Sequence, residues 1–191
     1  QLEFMEDNAL KDTLSDDINE IDLLISDLLE AERLSTQHSA LISDDVDFAD
    51  FISMLTAQYQ NEEEQLELSL PDEDRAMHID KLRVRLLFAN IVNNAIRHGR
   101  GNPVHVTVSF AEHEALLEVK DQGEGIPAEH VRHVQEPFYR ADNSRTRNTG
   151  GFGLGLYLCN LIAEAHGGRM EIRSNVGQGT IVSVYLPIIE H

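Results

Sequence analysis

Gly150-Gly151-Phe152-Gly153-Leu154-Gly155-Leu156 constrains this chain more than any other stretch, with four glycines in six positions. Glycine reaches positive φ at no steric cost and lets a main chain approach another group closely. Leu154 to Glu164 then reads as an amphipathic helix, expected over 154–166 and stopped by Gly167-Gly168. A glycine loop feeding a helix N-terminus leaves N–H groups unpaired at the positive end of the helix dipole, which suits an anion, phosphate above all. A tight turn or a linker fits the same glycines. No Gly-Lys-Ser/Thr follows, so this is not a P-loop, and no early βαβ unit carries it as a dinucleotide fingerprint requires.

Upstream, periodicity predicts a mixed set of elements. A helix over 12–36 carries a seam of Leu14, Ile18, Ile21, Ile25 and Leu28, spaced 4, 3, 4, 3 and widened by Leu24 and Leu29. Such a stripe is expected to bury itself against another helix, of which residues 1–10 supply only a fragment; packing on its own domain is the alternative. Residues 37–44 read as a linker. Short strands are expected at 45–48, 65–70 and 77–79, with a helix from 49 to about 60 that carries Phe51, Ile52, Leu55 and Ala57 on its inner side. The clearest helix runs from 80 to about 98, with Leu82, Leu86, Ala89, Ile91, Val92 and Ala95 as its apolar positions. Residues 104–110 and 115–120 alternate as a hairpin, 127–134 as a short helix, and 170–174 with 180–186 as a closing hairpin around Gly177-Gln178-Gly179. Hairpins without βαβ alternation predict an α+β fold, a mixed sheet with helices on one face.

Charge bounds the partners. Of the 34 acidic residues, 22 fall in residues 1–74 against two bases, whereas residues 75–191 are close to neutral. A net charge of −19 argues against nucleic acid as a partner and fits a solvated acidic face. The single cysteine, Cys159, excludes an intramolecular disulfide and is expected in the core. No apolar run approaches the length of a membrane span.

Three further patterns precede the glycines. Asn90 and Asn94 share one helix face, with Arg97 and His98 at its last turn. Buried carboxamides are costly unless paired, so they suggest either a polar stripe or a pocket able to ligate Mg²⁺ through oxygen. Asp121-Gln122-Gly123-Glu124-Gly125-Ile126-Pro127 closes a strand, and its carboxylate can accept from an exocyclic amine while the glycines admit a flat ring. Glu136-Pro137-Phe138-Tyr139-Arg140 leads into Arg145 and Arg147, cations suited to phosphate.

In this order and spacing the four patterns resemble the catalytic and ATP-binding domain of bacterial sensor histidine kinases, relatives of gyrase-type topoisomerases, Hsp90 chaperones and mismatch-repair ATPases. Asn90–His98 is similar to the family's N box, Asp121–Pro127 to its G1 box, Glu136–Arg140 to its F box and Gly151–Leu156 to its G2 box. The resemblance covers residues 45–188 and implies a two-layer Bergerat-type sandwich, preceded by a helical dimerisation segment. By resemblance, Asn94 is the Mg²⁺ ligand, Asn90 and Arg97 reach the phosphates, and Asp121 takes the adenine amine. His98, a frequent Tyr in the family, would lie against base or ribose, with Gly123, Gly125 and Ile126 shaping the adenine pocket. Arg140 to Gly150 is the lid, in which Arg145 and Arg147 are phosphate contacts, and Phe138 is counted with the nucleotide-binding residues. Gly151, Gly153 and Gly155 let that lid hinge over the phosphates, and Leu154 and Leu156 are counted with the nucleotide-binding residues.

The resemblance also implies a domain plan: residues 1–36 as the second helix of the dimerisation and phosphoacceptor domain, 37–44 as linker, and 45–191 as catalytic domain. None of the nine histidines sits in the family's phosphoacceptor context, so the chain is expected to begin after that helix. The expected setting is the cytoplasmic portion of an inner-membrane sensor, homodimeric when whole, joined to the membrane only through upstream segments. Its partner would be a response regulator receiver domain. ATP-hydrolysing relatives place a Glu four residues before the metal-binding Asn; here that position is Asn90, which cannot act as a base. A nucleotide-dependent scaffold without turnover is the remaining alternative.

Overall fold

The computed structural model describes residues 14, 18, 21–22, 24–35, 41–59, 66–141 and 152–188. A five-stranded mixed sheet dominates, in the order β2-β4-β5-β7-β6, from β2 (Leu66–Ser69), β4 (Val104–Phe110), β5 (Glu114–Lys120), β6 (Arg169–Asn175) and β7 (Gly179–Pro187). Strand β2 runs parallel to β4, and every other pairing is antiparallel. A separate antiparallel pair joins β1 (Asp44–Asp47) to β3 (Ala76–Ile79). The helices are α1 (residues 24–35, with Leu14, Ile18 and 21–22 also helical), α2 (Phe48–Thr56), α3 (Lys81–His98), α4 (Ala128–Val131) and α5 (Gly155–Ala165).

Alternation sets the two faces. Val104, Val106 and Val108 of β4, Ala115, Leu117 and Val119 of β5, and Val182, Val184 and Leu186 of β7 point to one face and are buried. They meet Val84, Leu87, Phe88, Ile91, Val92 and Ala95 of α3 and Leu158, Cys159, Ile162 and Ala163 of α5 in a single core. The opposite face carries His105, Thr107, Glu118 and Arg173. The fold is thus α+β, a sheet covered by helices on one face.

Helix ends are fixed by side chains. Asp80 caps α3, its Oδ1 accepting from Leu82 N–H (3.1 Å) and Arg83 N–H (3.2 Å). The start of α2 is satisfied from a distance, Asp74 accepting from Ala49 N–H and Asp50 N–H (2.8 and 2.9 Å). Helix α5 ends at His166, whose Nδ1–H donates to Ile162 O (2.8 Å) while its Nε2 accepts from Asp80 N–H (3.0 Å).

Two helix faces differ from expectation. The buried stripe of α3 begins at Val84 and includes Leu87 and Phe88, whereas Leu82 is 77% exposed. Leu82 lies in the first turn, and the packing of Val84, Leu87 and Phe88 into the core rolls residue 82 outward. On α2, Ala57 is exposed because the helix tightens into a 3-10 turn over Ala57–Tyr59. The seam of α1 is not covered: Leu14, Ile18, Ile21, Ile25, Leu28 and Leu29 are 40–60% exposed. Its other side meets the core through buried Ala31 and half-buried Leu34. There Glu30 Oε1 accepts from Arg83 Nε–H (2.8 Å). Residues 1–13 and 36–40 of the expected first helix and linker, and the arginine loop 142–151, lie outside the described residues.

Candidate functional site

The four sequence patterns converge at one end of the helix-covered face. Helix α3 presents half-buried Asn90 and Asn94 one turn apart. Asn90 Nδ2 is buried and has no hydrogen-bond partner among the described residues. A methyl group on Gly155 would stand 3.3 Å from Asn90 Oδ1, so the first residue of α5 passes close to that carboxamide. The N-cap of α5, Leu154, offers no side-chain hydrogen bond, and the first intrahelical bond is Leu158 N–H to Leu154 O. Among the described residues an unpartnered amide thus sits beside the amide end of a helix, an arrangement that suits an anion.

The C-terminal turn of α3 contacts the loop after β5. Gly123 approaches so closely that an added Cβ would lie 1.9 Å from His98 O. Asn102 ties the same two elements, its Nδ2 donating to Gly99 O (2.8 Å) and Gln122 O (3.3 Å). His98 is half exposed, Nδ1 3.4 Å from Glu124 Oε1. Arg97 is exposed at the same turn.

Asp121 belongs to the apolar phase of β5, one step beyond Ala115, Leu117 and Val119, and is 5% exposed. Burial pushes its carboxyl above the usual carboxylate range, opposed by the N–H groups of Gly123 and Thr180. Both donate to Oδ1, at 2.8 and 3.2 Å, so Oδ2 keeps its lone pairs for another donor.

Sequence reading missed the residues beside it. The register pairs Leu117 with Val184 and Val184 with Met170, then Val119 with Val182 and Val182 with Ile172. The next row along the same face is polar throughout: Asp121, whose N–H donates to Thr180 O (2.9 Å), then Thr180, paired with Ser174. Ser174 Oγ accepts from Ile126 N–H (2.8 Å). The β6–β7 turn reinforces this hold, with Gly177 N–H donating to Glu124 O (2.7 Å). A Cβ on Gly125, at φ +70, would fall 2.0 Å from Asn175 O. The available signal was phase: Thr180 keeps step with Val182, Val184 and Leu186.

The aromatic segment docks on the glycine end. Phe138, at φ +64, donates its N–H to Gly153 O (3.0 Å). Gly153, at φ +74, has Tyr139 O at 2.6 Å from where its Cβ would be, so no side chain fits there. Phe138 and Phe152 are 60% and 37% exposed. Arg140 is exposed, Leu154 buried, and Leu156 half-buried. Arg145, Arg147, Gly150 and Gly151 lie outside the described residues.

Residues 79–190 match the family described as histidine kinase-, DNA gyrase B-, and HSP90-like ATPase, and the chain belongs to that family. Over 189 residues it is 29% identical to the sensor protein SrrB of Staphylococcus aureus, a match covering 95% of this chain and 32% of that protein. The chain therefore spans about a third of the length of the curated relatives it matches. Its fold superposes on the Acinetobacter baumannii histidine kinase AdeS with a TM-score of 0.78 at 19% identity, covering 95% of this chain and 85% of that one. It also superposes on full-length ShkA in complex with AMPPNP, with a TM-score of 0.77 at 21% identity, over 88% of this chain and 36% of that one.

Proposed function

We propose that this chain is the ATP-binding catalytic portion of a sensor histidine kinase and passes the γ-phosphoryl group of ATP to a histidine on a separate dimerisation helix, for relay to a response regulator aspartate. The observation that carries the reading is the buried Asn90 Nδ2, without a hydrogen-bond partner among the described residues, at the N-terminal end of α5. A phosphate oxygen supplies an acceptor for Asn90 Nδ2 and for the first amides of α5. Asp121 Oδ2 accepts the adenine amine, and Gly123 and Gly125 leave room for the ring. Arg97, Arg140, Arg145 and Arg147 stand as phosphate contacts, and His98 flanks the base or ribose.

Mg²⁺ fits this donor set. Among the described residues no group of three or more His, Cys, Asp or Glu side chains is placed to hold a metal. Mg²⁺ needs no such cage, because it takes one or two protein ligands and completes its shell with phosphate and water. Asn94 offers its carboxamide oxygen one turn from Asn90. The ion when bound neutralises charge on the transferring phosphoryl group. The protein's own part is positioning: Asn90 and the α5 amides fix the phosphates, and Asp121 fixes the base. Asn90 cannot take a proton from water, so a hydrolytic role for that position is not supported.

The domain plan follows from the same reading: residues 1–36 form part of the dimerisation and phosphoacceptor domain, 37–44 the linker and 45–191 the catalytic domain. The exposed seam of α1 suits a homodimeric helical bundle. Among the described residues no helix is long and apolar enough to cross a membrane, and attachment to the inner membrane is assigned to segments outside this chain. Calorimetry with ATP and Mg²⁺ tests the site. N94A is expected to lose the metal dependence of nucleotide binding, and D121N to lose preference for adenine. Unchanged affinity in either variant removes that residue from the site.

A further inference from the structure

The polar row Asp121–Thr180–Ser174 ends on a serine that makes three hydrogen bonds. Ser174 Oγ lies 2.9 Å from Gly179 O, 2.8 Å from Ile126 N and 2.9 Å from Thr180 Oγ1. A hydroxyl has one proton and two lone pairs, so the three contacts fix every direction. Gly179 O is a carbonyl and only accepts, so it takes the Ser174 proton. Ile126 N–H only donates, so it takes one lone pair. The remaining lone pair faces Thr180, whose hydroxyl proton must therefore point at Ser174.

With its proton committed to Ser174, Thr180 Oγ1 has only lone pairs left to offer another group. Asp121 on the neighbouring strand does the same through Oδ2, since Gly123 N–H and Thr180 N–H both occupy Oδ1. The row therefore accepts and does not donate. We infer that Ser174 is a positioning residue that orients the Thr180 hydroxyl as an acceptor and thereby sets the preference for a 6-amino over a 6-oxo purine. Ser174 acts through Thr180 and through the main chain of Ile126, at a distance from the ligand.

The inference rests on the ATP-binding reading above, and the two fail separately. The test is competition binding of ATP and inosine triphosphate, each with Mg²⁺, to the 191-residue chain and its S174A, S174T and S174V variants. In S174A the released Thr180 hydroxyl turns and donates to the 6-oxo group, so the ATP-over-ITP ratio falls roughly fivefold, the worth of one neutral hydrogen bond. S174T retains the hydroxyl and the ratio. S174V matches S174T in shape, lacks the hydroxyl and loses the ratio, which carries the test should S174A prove unstable. A purely structural role weakens both nucleotides alike. An unchanged ratio in S174A or S174V, in chains that still bind ATP, overturns the assignment to Ser174. Failure of the parent chain to bind ATP overturns the functional reading itself.

Discussion

Substituting Gly123 by alanine probes the junction between α3 and the loop after β5. The new Cβ would meet His98 O at 1.9 Å and His98 C at 2.7 Å. Both atoms are main chain at the last turn of α3, so no rotamer relieves the clash. Ordinary contact begins at 3.4 Å, and the loop must retreat by about 1.5 Å to reach it. A third contact, at 2.9 Å, is Asp121 Oδ1, the acceptor for Gly123 N–H. Retreat therefore breaks that bond and turns the Asp121 carboxylate. A hydrogen bond to a charged group contributes about 2 kcal/mol, so ATP affinity should fall roughly 30-fold. G155A is the comparison, because its Cβ meets only a side chain, Asn90 Oδ1 at 3.3 Å, and a shift of a few tenths of an ångström relieves it. Calorimetry with Mg²⁺ and ATP measures both, with circular dichroism to show that each variant is folded. A folded G123A that binds ATP like the parent would refute the coupling between the two elements.

Three further outcomes follow from other parts of the molecule. His166 is buried and neutral, and desolvation holds its pKa below the ordinary 6.5; the unfolded chain thus takes up the proton first. Its contribution is present above about pH 6.5 and lost as pH falls below it, so the melting temperature should drop from pH 7 to 5.5 and H166Q should flatten that drop. An H166Q profile as steep as the parent's contradicts this. Arg83 and Glu30 are 12% and 18% exposed and join α1 to α3, so R83A should release α1 at a cost of about 3 kcal/mol, seen as faster hydrogen exchange across residues 24–35. Unchanged exchange there would show that Ala31 and Leu34 hold the helix without the ion pair. On the seam, Asp at Ile21 and Ile25 should prevent helical pairing and leave ATP affinity intact; a dimer surviving both changes contradicts a paired seam.

Local signals were legible wherever one residue type answers one backbone need. Gly153 and Gly125 sit at positive φ against main-chain atoms, and Asp80 caps α3 at the predicted start of that helix. The alternating strands of β4, β5 and β7 gave their buried faces directly. What sequence hid depends on register and on distance along the chain. Leu82 is apolar but exposed because the roll of α3 is set by packing of Val84, Leu87 and Phe88, which no single residue announces. Ser174 and Thr180 read as hairpin polar residues until the β6–β7 register aligned them with Asp121. Glu30 and Arg83 are 53 positions apart, and their pairing is a tertiary fact. Asn102 lies between α3 and β4, and its second bond, to Gln122 O, shows that this turn also holds the site loop.

The most direct measurement supplies a two-helix phosphoacceptor fragment in trans, with the 191-residue chain, Mg²⁺ and ATP labelled at the γ-phosphate. Phosphoryl transfer needs a nucleophile in line with the γ-phosphate. Two of the described histidines are placed otherwise: His105 is bound to Glu67 on the opposite face (2.9 Å) and His166 is enclosed by Asp80 and Ile162. Acid-labile phosphohistidine should therefore appear on the added fragment, be lost with N94A, and stay absent from the chain incubated with ATP alone. Stoichiometric phosphohistidine on the 191-residue chain itself would contradict a nucleophile supplied from a separate helix.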